Sequence, residues 1–285
     1  MERNWLFLRG IFDANNKYNA KHDLDMWRQL FDGLAGDNGY VWYKGWKVPR
    51  NVTHIFARGG FDFYLPILKM YKNAYKIYYG AGKRYIPKDG INYNLILVDS
   101  EEQKKKLLKK FPKANVQIFF KPAANHFKPI DVEKKYDVGF VATIPEDKRK
   151  RVAWVYKTVP KDLKVLQLGY TPKKLKIPKN VKVKKATSDK MPKLISQCKV
   201  IICPYSELDS GPRIIPEALA CGVPVVCRES VNFDNNSYTY VWVTDKETFW
   251  KDVKNMLSIE LKHVHEGYKI VSSMEEAVSH LRRLI

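Results

Sequence analysis

Apolar and polar stretches alternate along this chain with the rhythm of a β/α protein. Short apolar or β-branched runs at Trp5–Leu8, Val41–Tyr43, His54–Ala57, Ala74–Tyr79 and Leu95–Val98 are predicted to be strands. Between or after them, Asp25–Leu34, Asp62–Tyr71 and Glu101–Phe111 place apolar residues at helical spacing. Ser100 and Glu101 suit the start of the last of these, and its basic end suits a helix C-terminus. Lys121–Pro129 (KPAANHFKP) breaks the pattern and reads as a linker. The alternation then restarts, with strands expected at Tyr136–Ile144, Leu163–Leu168, Val181–Lys184 and Tyr238–Val243. Helices are expected at Val152–Val159, Lys190–Gln197, Phe249–Leu257 and Met274–Leu284. Strands alternating with helices imply parallel sheets, and the break implies two α/β domains.

One stretch organises the second half. Lys199–Cys203 is a short run buried on both faces by its pattern, Pro204 stops it, and a polar loop runs through Tyr205 and Asp209. Ser210-Gly211-Pro212 then opens a helix, with proline suited to a first turn. Ile214, Ile215, Ala218 and Leu219 form its apolar face, Gly222 closes it, and Val223-Pro224-Val225-Val226 begins the next strand. The loop after a parallel strand lies at the carboxyl edge of the sheet, where open α/β folds bind ligands. Its helix start presents unpaired N–H groups that suit a phosphate. Asp209 and Glu217 could hold sugar hydroxyls while Arg213 meets phosphate. The competing structural reading makes Asp209 a helix cap and Arg213 the i,i+4 partner of Glu217.

Asp209-x7-Glu217 followed by Ala218-Leu219-Ala220-Cys221-Gly222-Val223-Pro224-Val225-Val226 resembles the Glu-x7-Glu segment of family 4 retaining glycosyltransferases. Lys121–Pro129 and Leu97–Glu101 resemble that family's interdomain linker and its strand-Ser-Glu segment. The resemblance implies the GT-B fold: two Rossmann-like domains facing each other across a cleft that holds the active site. The expected division is an acceptor-side domain over 1–125, a nucleotide-sugar domain over 126–262, and a C-terminal helix in 263–285 that packs back on the first domain.

It also implies the roles. Glu217 would hold the ribose hydroxyls and Asp209 the transferred sugar, while Lys148, Arg149 and Arg213 with the amides of Gly211–Ile214 neutralise the leaving diphosphate. Catalytic residues are thus expected at Asp209, Glu217 and Arg213. Donor binding is expected at Ser210, Gly211, Pro212, Ile214, Ile215, Lys148, Arg149, Thr143, Tyr170, Lys185, Tyr205 and Gly10, and acceptor-side contacts at Arg58, Gly59, Gly80 and Lys83. Thr143 stands where the family has arginine, and the family's histidine near Gly80 is missing. The donor expected first is GDP-mannose, with a UDP-sugar next, and the acceptor is a glycan or another molecule the sequence does not name. No cofactor and no metal are expected. Asp23-Leu24-Asp25 matches a metal-binding Asp-x-Asp but precedes a helix, where aspartates cap.

Composition changes this picture only at the margins. With 45% apolar residues and no run near the roughly 20 residues of a membrane helix, the chain reads as a cytoplasmic globular protein. Trp5–Leu8 is too short for the core of a signal peptide. Its length and its wealth of Lys, Asn and Tyr suit an AT-rich genome such as that of a large virus. Cys198, Cys203, Cys221 and Cys227 show no C-x-x-C spacing and read as buried small hydrophobes. The net charge of +21 attracts polyanions, yet no recognition helix, zinc module or interleaved aromatic pattern points to nucleic acid. Most lysines alternate with apolar residues, as in Val181-Lys182-Val183-Lys184, which describes strands with one wet face; a weak attraction to membrane surfaces remains. Oligomeric state is open, a homodimer included. The competing functions are a GT-B-like epimerase or phosphorylase, or a non-catalytic binder of polyanions.

Overall fold

The computed structural model describes residues 3–8, 24–59, 62–80, 86–87, 90–205, 212–228, 240–259 and 263–285. It divides into two compact units: the chain up to Phe120 together with Ala277–Ile285, and Lys121–Glu276.

The first unit is built on a parallel sheet of six strands: β1 (Trp5–Leu8), β2 (Gly39–Trp42), β3 (His54–Arg58), β4 (Tyr75–Tyr79), β5 (Leu95–Val98) and β6 (Val116–Ile118). Their order is β2-β1-β3-β4-β5-β6, so the chain reverses direction between β1 and β3. Helices α1 (Met26–Ala35), α2 (Leu65–Met70) and α3 (Glu101–Lys110) form the crossovers or follow the strands. Leu6, Leu8, Ile55, Ala57, Ile96 and Val98 share one core on one face of this sheet. Asp25 caps α1 by accepting from the Trp27 N–H at 3.2 Å, the role its position before a helix predicts. Ser100 caps α3 in the same way through Gln103.

The second unit repeats the plan with β7 (Tyr136–Ala142), β8 (Val165–Gly169), β9 (Val181–Lys184), β10 (Cys198–Cys203), β11 (Val225–Arg228) and β12 (Val241–Thr244). All neighbours are parallel and the order is β12-β11-β10-β7-β8-β9. The chain winds one way from β7 through β8 to β9, then crosses back to β10 and winds the other way. Helices α4 (Val152–Thr158), α5 (Met191–Ser196), α6 (Ile214–Ala220), α7 (Phe249–Ser258) and α8 (Val264–Ser272) accompany it. Val200, Ile201 and Ile202 are at most 1% exposed, as a strand covered on both faces must be. Burying each such side chain contributes about 1.5–3 kcal/mol. The four cysteines are buried, and burial pushes the thiols of Cys198 and Cys221 up to about 12.

The last helix, α9 (Met274–Leu284), ends in the first unit's segment. There Arg282 donates to the Gly33 carbonyl at 2.7 Å, and Leu281 is fully buried.

Two elements lie beyond the sequence expectations. β6 has three residues at a sheet edge, too few to show an alternation. α8 contains Gly267 and β-branched Ile270 and Val271, a composition that hides a helix from propensity. Gly267 is there for space, because a Cβ would stand 2.6 Å from the Tyr240 ring. The expected helix over Asp62–Tyr71 is a 3₁₀ turn, Asp62–Tyr64, followed by α2.

Gly169 closes β8 at φ +143°, and a Cβ on it would lie 2.1 Å from the Ala142 carbonyl oxygen at the end of β7. The obstacle is backbone and cannot rotate away. Gly169→Ala should therefore destabilise the second unit by more than about 2 kcal/mol. Urea unfolding measures this, and a midpoint matching the parent protein would refute the close approach.

Candidate active site

In the second sheet, β7 and β10 are neighbours whose onward connections leave in opposite directions. Such a switch point opens a crevice at the carboxyl ends of the strands. Here it receives the loops after β7, β8 and β10, which carry most of the residues singled out from sequence.

The loop after β7 starts at Thr143 and Ile144, both exposed. It turns through a bond from the Asp147 N–H to the Ile144 carbonyl at 3.1 Å and enters a 3₁₀ turn, Lys148–Lys150. Asp147 caps that turn, accepting from the Arg149 N–H at 3.0 Å. Its carboxylate also takes the Arg149 side chain in a fork, Nε to Oδ1 at 3.0 Å and Nη2 to Oδ2 at 2.5 Å. The Arg149 hydrogen bond is the main reason the Asp147 carboxyl titrates below its ordinary range. One of the expected diphosphate ligands is therefore held by its own loop.

Its neighbour takes the inward direction. Lys150 lies with Nζ 3.8 Å from the centroid of the Tyr205 ring, a cation–π contact. Tyr205 itself follows β10, is 1% exposed, and donates its hydroxyl to the Val141 carbonyl at 2.6 Å. It thus ties the loop after β10 to β7. The sequence shows four consecutive basic residues, Lys148 to Arg151, without telling which one turns inward; the 3₁₀ geometry decides for Lys150.

Helix α6 begins at Ile214 with Arg213 in the cap position and no side-chain cap bond. The first-turn proline is Pro216, three residues into the helix, where its missing N–H is unpaired anyway. Pro212 lies just ahead of the helix and is buried. Its carbonyl accepts the Ile215 N–H at 3.1 Å, so that amide is already used. The Ile214 and Ile215 side chains are core, 4% and 0% exposed, leaving the Arg213 and Ile214 amides as the ones a ligand could meet among the described residues of this turn. Asp209, Ser210 and Gly211 lie outside the described residues, as do Gly10 and Lys83.

Glu217 is half-buried on the first turn of α6. The predicted ion pair with Arg213 does not form: among the described residues, its carboxylate has neither a salt bridge nor a hydrogen bond. Burial raises its pKa, opposed by the positive charges of Arg213 and Lys150 nearby. Such a carboxylate is costly to the fold and has its acceptor sites open.

Two further loops complete the edge. Tyr170, after β8, is 44% exposed, with Lys185 Nζ 4.9 Å from its ring. Its carbonyl accepts from buried Gln167 at 2.9 Å, and Gln167 is fixed in turn by the Tyr156 hydroxyl at 2.5 Å. Glu146 accepts the Lys173 N–H at 3.0 Å and pins this loop to the one after β7.

Of the residues named for the acceptor side, Arg58, Gly59 and Gly80 lie in the first unit, at the carboxyl edge of its own sheet. Arg58 ends β3 with its guanidinium 5.0 Å from the Trp27 ring centroid. Gly59, at φ +79°, donates to the Tyr79 carbonyl at 2.7 Å, and Gly80 donates to Leu97 at 3.4 Å. The Tyr79 hydroxyl bonds Asp99 at 2.6 Å. His126 packs against Phe127 and meets the Ser188 carbonyl at 3.1 Å, the role of a packing residue. Among the described residues no group of three or more His, Cys, Asp or Glu is placed to hold a metal, and no helix is long and apolar enough to cross a membrane.

Comparison with known proteins agrees with this geometry. Residues 135–258 match the family described as Glycosyl transferases group 1, the span that contains β7 to α7. No curated protein matches the chain. Among solved structures, HepE of Anabaena in complex with UDP superposes with TM-score 0.70 at 10% identity, over 99% of this chain and 99% of that one. A glycosyltransferase of Rickettsia africae gives 0.68 at 12% identity over 100% and 98%. Sucrose-phosphate synthase of Thermosynechococcus elongatus gives 0.66 at 11% over 99% and 98%. The chain has the two-domain α/β GT-B fold, and its residues 135–258 match the group 1 glycosyl transferase family.

Proposed function

We propose that this protein is a retaining, family 4 type glycosyltransferase that moves a sugar from a nucleotide-diphosphate sugar to a glycan or other acceptor. The observation that carries the reading is Glu217: a half-buried carboxylate at the switch point of the second sheet, unpartnered among the described residues, with Arg213 and Lys150 beside it. A carboxylate kept in that state, at a cost to folding, suits a ligand with paired hydroxyls. In this reading Glu217 accepts both ribose hydroxyls of the donor. Lys148, Lys150 and Arg213 face the diphosphate, with Arg149 joining if the ligand competes with Asp147. Asp209 holds the hydroxyls of the transferred sugar.

Departure of the nucleoside diphosphate builds negative charge on the bridging oxygen. Preorganised donors aimed at such charge typically contribute roughly 3–4 kcal/mol each. With several cations already fixed by the loop and by Tyr205, leaving-group departure needs no metal in this proposal. The acceptor hydroxyl then bonds to the anomeric carbon from the face the leaving group occupied, its proton passing to the departing diphosphate oxygen. GDP-mannose is the donor proposed first and a UDP-sugar the second; that HepE was solved with UDP and with UDP-glucose supports keeping the UDP-sugar in the test.

The decisive experiment separates binding from stability. Glu217→Gln should weaken free nucleotide diphosphate and nucleotide sugar alike by roughly ten- to hundredfold, the loss of charge-assisted hydrogen bonds. Asp209→Asn should leave the nucleotide diphosphate affinity intact and lower turnover. Calorimetric titration and donor consumption read these, and parental affinity in Glu217→Gln would sink the assignment.

Stability should move the other way. A carboxyl whose folded pKa is raised adds stability below its unfolded value, about 4.3, and loses it as pH climbs through the folded value. At pH 7–8, above the unfolded value, Glu217 therefore costs stability. Glu217→Gln should melt above the parent there, with the gain vanishing below about pH 4. Thermal melts across pH check the sign; a lower melting point at pH 7–8 would make Glu217 a structural partner instead. Donor consumption should also be unchanged by EDTA, and activity lost to EDTA but restored by manganese would reverse the proposal on metal.

A further inference from the structure

At the carboxyl edge of the first unit's sheet, the loop after β2 presents a built aromatic and cationic surface. Tyr43-Lys44-Gly45-Trp46 is a tight turn closed by the Trp46 N–H on the Tyr43 carbonyl at 3.0 Å, and Gly45 at φ +91° supplies the left-handed residue such a turn needs. Two anchors hold it from below. The Trp42 indole donates to the Trp46 carbonyl at 2.8 Å, and the Tyr40 hydroxyl to the Lys47 carbonyl at 2.9 Å. The Trp46 side chain takes no part in this fastening and is 46% exposed, with the Tyr43 ring 4.9 Å away at 60°.

Lys44 and Lys47 flank the indole, both exposed. Lys44 reaches over Phe63 at 5.6 Å and so joins this loop to the one after β3, which begins beyond Arg58. From Gly39 to Gly59 the chain carries four cations, Lys44, Lys47, Arg50 and Arg58, and no acid. An exposed indole stacks on the apolar face of a sugar ring, and fixed cations beside it select negative charge. A bilayer is less well matched, since Trp46 is the one exposed large apolar side chain of this loop.

We propose that Trp46 with Lys44 and Lys47 forms a binding site for an anionic glycan, one bearing carboxylate or phosphate groups on its sugars. Resting on the transferase reading above, this makes the acceptor an acidic glycan, with Trp46 setting the ring and the lysines the charge.

The test is equilibrium binding to the whole protein without donor, followed by calorimetry. The probes are hyaluronan oligosaccharides, phosphorylated dextran oligosaccharides, neutral chito-oligosaccharides, and vesicles of phosphatidylglycerol. One of the two anionic sugars should bind, the neutral one at least about tenfold more weakly. Trp46→Ala and the pair Lys44→Glu with Lys47→Glu should each reduce that affinity about tenfold or more. Because these side chains are exposed, their melting points should match the parent. Two controls remove general stickiness: Trp242→Ala, an exposed tryptophan of the other unit, and Lys109→Glu with Lys110→Glu on α3, neither of which should change binding. Equal losses in the controls, equal binding of the neutral sugar, binding of vesicles alone, or no binding would each overturn the proposal. Nucleotide titration of the parent keeps the two ideas apart: a nucleotide bound with no glycan bound fails this inference alone, and no nucleotide bound fails the transferase reading.

Discussion

A parallel sheet whose crossovers leave in two directions cannot cover the point where they part. In the second unit that point lies between β7 and β10. Helices shield both faces of the sheet, yet the carboxyl ends of two adjacent strands stay open. The sequence fills the opening with polar loops instead of a side-chain plug. Gly169 lets β8 close against β7, Tyr205 staples β10 to β7, and Glu146 draws the loop after β8 toward its neighbour. Among the described residues these bonds tie together the strand ends at the crevice, and preorganised polar groups are what electrostatic work on a ligand requires.

Charge in this crevice is arranged by contrast. Arg149 is forked onto Asp147, while Lys150 lies over the Tyr205 ring. Glu217 stands among positive groups without being consumed by one. Fully paired, these residues would stabilise the fold and offer nothing to a ligand. Partly paired, they leave a local field whose natural complement is a molecule with hydroxyls at one end and phosphates at the other.

The amount of this that sequence could reveal differs by residue. The β-loop-α-β unit around Lys199–Cys227 was legible because its apolar runs, its loop and its closing glycine each have one local cause. The parallel sheets were legible through the alternation of elements, and the resemblance supplied the fold that alternation leaves open, while the strand order came only with the structure. Exact caps were not legible: Pro212 and Pro216 both satisfy the preference for a first-turn proline, and packing chose Pro216. The i,i+4 spacing of Arg213 and Glu217 permits an ion pair but does not compel one, and none forms here. Lys150 was missed because four successive cations look alike until a 3₁₀ turn aims them. Asp25, by contrast, was fixed by its place before a helix, and it caps.

The four cysteines have a use that their burial creates. All of them lie in the second unit, and a thiol held near 12, as Cys198 and Cys221 are, is ionised to roughly one part in 10⁵ at neutral pH. Reagents that attack thiolates pass such groups by until the surrounding strands separate. The chain thereby carries its own reporter: the rate of thiol labelling reads how often the sheet around β10 comes apart, and it reads that unit alone, with no probe attached to the protein.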